Sequence, residues 1–138
     1  MSPQPHHDAL IKIMSVMAAA DGAVSDRELR VIADLVRHLP VFAGVTAEEL
    51  VRSSQDAGAL LADDDGLDRL VDEACAILPD PLRQTAYALA VEIAATDLRA
   101  TQEELHLLEF LRDRLNLDPL LAAAIEASAR VRFRRHAG

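Results

Sequence analysis

The sequence predicts an all-α fold, a compact array of about seven helices in which a helix-corner-helix unit occurs twice. Three observations predict it. Apolar residues make up 51% of the chain while aromatics are 3% and Trp is absent, so the core must be Leu, Ala, Val and Ile, a mixture whose Ala and Leu favour helix over sheet. No stretch of strand length alternates apolar with polar residues. Helix start and stop signals, by contrast, recur along the whole chain, and no Gly/Ser linker or low-complexity run interrupts them. A chain of 138 residues suits one domain, 1–138, able to bury roughly two-thirds of its unfolded surface.

Each element has its own signal. Residues 1–7 read as a disordered start. From Asp8 to about Ala20, Leu10, Ile11, Ile13, Met14 and Met17 fall at helical spacing, and Asp21-Gly22 ends the helix. "SDRE" at 25 to 28 is a capping box, in which Ser25 and Glu28 satisfy each other's backbone N–H groups. It opens a second helix that runs to about Leu39, where Pro40 marks its end. "TAEE" at 46 to 49 opens the third, to about Leu61, and "DDDG" at 63 to 66 breaks the chain before a fourth, "LDRLVDEACAIL". Asp80-Pro81 reads as an N-cap followed by Pro at the first helical position, opening a fifth helix that runs to Thr96. Thr101 to Glu104 is another capping box, for a sixth helix ending near Asn116, and Asp118-Pro119 opens a seventh that runs into arginines.

The corner after the first helix is repeated. "AAADGAVSDREL" at 18 to 29 aligns with "AATDLRATQEEL" at 94 to 105, an offset of 76, matching Asp21 with Asp97, Glu28 with Glu104 and Leu29 with Leu105. The apolar register continues, with Val31, Ile32, Leu35 and Leu39 opposite Leu107, Leu108, Leu111 and Leu115. This is an internal duplication. At each corner a carboxylate stands at a helix C-terminus, where the macrodipole disfavours it by roughly 0.3 to 1 kcal/mol, and a glutamate follows seven residues on. Such an all-oxygen set, Asp21 with Glu28 and Asp97 with Glu104, suits a hard divalent cation such as Ca²⁺, Mg²⁺ or Mn²⁺. The competing reading is structural. Capping boxes account for both glutamates, and each aspartate would face the positive N-terminus of the next helix without any metal.

The two corner motifs resemble the tellurite-resistance TerB family and the related TerB-like domain of a membrane-anchored DnaJ co-chaperone. The resemblance extends over nearly the whole chain in length and helix order. It implies a cytoplasmic helical domain, at most peripheral to the inner membrane, whose acidic residues bind divalent metal at positions matching Asp21, Glu28, Asp97 and Glu104. It further implies association with a protein partner in a membrane-linked stress-response complex. The second copy departs from the pattern: Leu98 stands where Gly22 does, and a left-handed backbone costs such a residue roughly 1 to 2 kcal/mol. Arg99 beside Asp97 would also neutralise that carboxylate in place of a cation.

Other chemistry is weaker. "DDDGLD" at 63 to 68 is like a calcium loop, but in that register the first ligand would be Leu61 and the twelfth position is Asp72 rather than Glu. His6 and His7 fall in the start segment, His38 at a helix C-terminus, and His106 has no His or Cys partner at helical spacing. Cys75, the single cysteine, reads as a buried structural thiol. With no Ser/His/Asp set, phosphate loop or nucleophile elbow, the chain reads as a non-enzyme. No run approaches the roughly 18 apolar residues of a membrane span, and the start lacks a basic secretory n-region. Net charge is −9, and all 23 acidic residues precede Arg130, Arg132, Arg134 and Arg135, leaving the body with ten basic residues at −13. Such a body repels nucleic acid. The basic end, residues 130–138, is either a dipole-complementing helix terminus or a contact for anionic lipid or an acidic partner. A metal-free adaptor that docks a membrane protein or chaperone is therefore the alternative to a cation-binding domain.

Overall fold

The computed structural model describes residues 4–20, 26–96 and 101–135. Among them are seven α-helices and no strand: α1 Pro5–Ala18, α2 Asp26–His38, α3 Ala47–Leu61, α4 Gly66–Ile77, α5 Asp80–Ala95, α6 Gln102–Arg114 and α7 Pro119–Arg132. The all-α expectation holds. A short 3-10 turn, Pro40–Phe42, was not foreseen; Pro40 does end α2, but the chain then tightens and buries Phe42.

Two helices form the centre. α1 buries nine of its 14 residues and α5 seven of its 16, on nearly every face, as a helix surrounded by others must. They pack against each other, with α2, α3 and α4 laid on α1, and α6 and α7 on α5. These are the first helices of the two units that the sequence aligns. A polar tie fixes α1 on α3: the Ser53 hydroxyl donates to Asp8 Oδ1 at 2.7 Å, while Lys12, within α1, pairs with Asp8 Oδ2 at 2.8 Å.

The start of α1 corrects the sequence reading. Residues 5 to 7 are helical rather than disordered, because Pro5 at the first position forfeits no intrahelical bond and has its φ already set. His7 is buried on this turn, and its Nε2–H donates to the Val41 carbonyl at 2.9 Å. Burial, then the neighbouring His6, hold its pKa below the ordinary value of 6.5, outweighing Val41 and Glu49. Thr46, Thr101 and Asp118 cap α3, α6 and α7 through their side chains as expected. α5 differs by one residue, with Pro79 rather than Asp80 at the capping position. α6 closes on Asn116 at φ 54°, where Asn tolerates the left-handed conformation, and the Leu117 N–H reaches back to the Arg112 carbonyl at 3.4 Å.

Candidate functional site

Both duplicated glutamates face inward. Glu28 is the third residue of α2 and is 7% exposed; Glu104 is the third residue of α6 and is 2% exposed. The leucine that follows each points outward, Leu29 at 51% and Leu105 at 43% exposure. Hydrophobicity alone would order these pairs the other way. The cause is register. On α2 the buried stripe is Glu28, Ile32 and Val36, one residue every four, and on α6 Glu104 lies in line with Leu108, Leu111 and Leu115, so each glutamate continues an apolar seam while its leucine is turned about 100° away. A sequence reading that followed the seam back to its first position would have found both carboxylates buried.

A buried carboxylate is costly unless hydrogen-bonded. For Glu104 the capping box supplies two of the bonds: the Thr101 N–H donates to Oε1 at 3.1 Å and the Thr101 hydroxyl to the same oxygen at 3.2 Å, while the Glu104 N–H donates to Thr101 Oγ1 at 3.1 Å. The positive end of α6 adds to this. The box expected at Ser25, the glycine corner at Gly22, and Leu98, Arg99, Asp21 and Asp97 lie outside the described residues. Of the four predicted ligands Glu28 and Glu104 are therefore the two described, and no group of three His, Cys, Asp or Glu side chains that could hold a metal converges among the described residues.

The C-terminal end of α1 at Ala19 and Ala20, which leads into the first corner, lines the same groove of about 530 Å³ as Glu103, His106 and Leu107 in the opening turns of α6.

Other sequence candidates are accounted for structurally. In the calcium-like segment Asp63 and Asp65 pair with Arg69 at 2.7 and 3.3 Å, and Asp68 and Asp72 both pair with Arg114 from α6. Arginine stands where a cation would. The Cys75 thiol donates to the Arg114 carbonyl at 3.3 Å. Burial pushes its pKa up, overriding Arg83 and Arg114, two cations the sequence did not place beside it. His38 donates through Nδ1–H to the Asp34 carbonyl at 2.8 Å, and His106 is exposed.

A second feature was not legible in the sequence. α5, α6 and α7 enclose an open groove of about 690 Å³ with an apolar floor and an arginine rim. Tyr87 and Glu126, 39 positions apart, meet at its base.

No family model matches the chain, and searches of curated proteins and of solved structures find no match either. No helix among the described residues is long and apolar enough to cross a membrane.

Proposed function

We propose that the chain is a non-enzymatic, TerB-like domain that binds a divalent cation through Asp21, Glu28, Asp97 and Glu104 and serves a metal or toxic-oxyanion stress response. The observation that carries the reading is the inversion at both corners, where a glutamate is buried and the adjacent leucine exposed, in register, on two different helices. A further support comes from elsewhere: the residues that follow α1, Ala19 and Ala20, and the opening turns of α6 border one groove.

The metal-free adaptor remains the second reading, favoured by the capping box in which Glu104 Oε1 is engaged. Calorimetric titration of chelator-treated protein with Ca²⁺, Mg²⁺ and Mn²⁺ separates the two. Saturable binding of one ion, lost in the double variant Glu28→Gln with Glu104→Gln, supports the cation reading; no heat with any ion in the folded wild type leaves the corners as caps and the adaptor as the function.

A further inference from the structure

The groove between α5, α6 and α7 has the make-up of an amphiphile site. Its floor is Val91, Ala94 and Ala129, and its walls include Leu105 from α6 and Phe133 from the end of α7, 43% and 37% exposed. Large apolar side chains left open beside a preformed cleft of this size are what small-molecule sites present. The charges are divided unevenly. Arg112 bonds Glu126 Oε2 at 3.3 Å, and Arg132, on another face of α7, pairs with Glu92 at 2.9 Å and so pins the end of α7 to α5. Arg130 and Arg134, four residues apart and both lining the groove, form no ion pair among the described residues. Two guanidinium groups outside any ion pair thus line an apolar trough, against one such carboxylate, the exposed Glu109, in a chain whose net charge is −9.

We propose that this groove binds a single-chain anionic amphiphile of the fatty-carboxylate class, its hydrocarbon along Val91, Ala94 and Leu105 and its carboxylate between Arg130 and Arg134. Overall charge selects this occupant over larger anions. An anionic membrane or an acidic helix would spread many negative charges against a body at −13, whereas one head group meets chiefly the arginines within a Debye length of about 8 Å. A guanidinium pair also matches a carboxylate with forked, charge-assisted hydrogen bonds. Among the described residues, the groove's lining includes neither Glu28 nor Glu104.

The chain contains one tyrosine, and it is at the groove's base, so Tyr87 emission reports occupancy directly. The experiment titrates the full chain with dodecanoate, dodecanol and dodecyltrimethylammonium below their micellar concentrations, reading Tyr87 emission and calorimetric heat. The expected result is saturable one-to-one binding of dodecanoate, about tenfold tighter than dodecanol and weakest for the cationic amphiphile. Arg130→Ser with Arg134→Ser should remove that preference, and Leu105→Asp, at a half-exposed position that leaves folding intact, should weaken all three. Equal or tighter binding of dodecyltrimethylammonium overturns the proposal. So does indifference to the arginine changes in variants whose circular dichroism is unchanged, or binding to phosphatidylglycerol vesicles with none to dodecanoate.

Discussion

The Tyr87 hydroxyl on α5 donates to Glu126 Oε2 on α7 at 2.6 Å, and Arg112 on α6 reaches the same oxygen at 3.3 Å. One carboxylate oxygen thus joins three helices at the base of the groove. The phenol is 1% exposed. Burial first, and the adjoining Glu126 second, raise its pKa well above the ordinary value of 10. Removing the hydroxyl leaves Glu126 its arginine, so Tyr87→Phe should cost about 1 kcal/mol in urea unfolding.

The same phenol fixes an alkaline limit. Its folded pKa is raised, so above pH 10 the unfolded chain releases a proton that the folded chain retains, and stability falls as pH rises beyond that point. Phenolate absorbance should appear only as the protein unfolds. In Glu126→Gln the onset should move down but stay above the ordinary value, because burial is the larger cause; titration of the native variant like free tyrosine would show that burial is not.

His7 sets the acid side with the opposite sign. Its pKa is lowered, chiefly by burial, so the unfolded chain takes up the proton first. Stability from this group is complete above about pH 6.5 and is lost as pH falls from there toward the folded value. The neighbours that bear on it are His6, which lowers the pKa further, and Val41 and Glu49, which raise it. His7→Gln should flatten the fall in melting temperature between neutral and mildly acidic pH, and an unchanged slope would place its cause elsewhere.

What the sequence made legible was local. Thr46, Thr101 and Asp118 announced their helices because a cap bonds within three residues of itself, and Pro40 stopped α2 for an equally local reason. The start of α1 was missed because His7 is held by Val41, 34 residues away, and no periodicity precedes it. The groove was missed for the same reason on a larger scale. At the corners the depth of Glu28 and Glu104 was missed, since a leucine beside a glutamate looks like the inward-facing member until the seam through Ile32 and Val36, or Leu111 and Leu115, is extended to its end.

Two glycines in the α3–α4 hairpin should respond in opposite ways. Gly58 lies inside α3 with open space where a Cβ would stand, so Gly58→Ala should raise stability by about 0.5 to 1 kcal/mol through helix propensity. At Gly66, the first residue of α4, a Cβ would fall 1.6 Å from the Leu60 carbonyl oxygen, which is backbone and cannot turn aside. Gly66→Ala must displace the α3–α4 turn and should cost about 1 to 3 kcal/mol. Paired thermal melts decide it, and equal effects at both sites would disprove the close approach.

The final prediction separates ligand from cap at the corners. Thr101→Ala removes the hydroxyl that receives the Glu104 N–H but leaves the Glu104 carboxylate, so it should lower stability by about 1 kcal/mol with and without divalent cation. Glu104→Gln keeps the side-chain shape and can still accept from the Thr101 N–H while losing charge; it should diminish the cation-dependent rise in melting temperature, which for a bound ion amounts to about 2.7 kcal/mol at a hundredfold excess over Kd. Glu28→Gln should diminish it at least as much. Asp97→Asn should do so less than Asp21→Asn, since Leu98 and Arg99 make the second corner the weaker copy. Asp64→Asn, in the calcium-like segment whose neighbours Asp63 and Asp65 already pair with Arg69, should leave the response unchanged. If Thr101→Ala abolishes the response as fully as Glu104→Gln, the cation acts through the fold of the corner rather than through its carboxylates, and the assignment of Glu104 as a ligand fails.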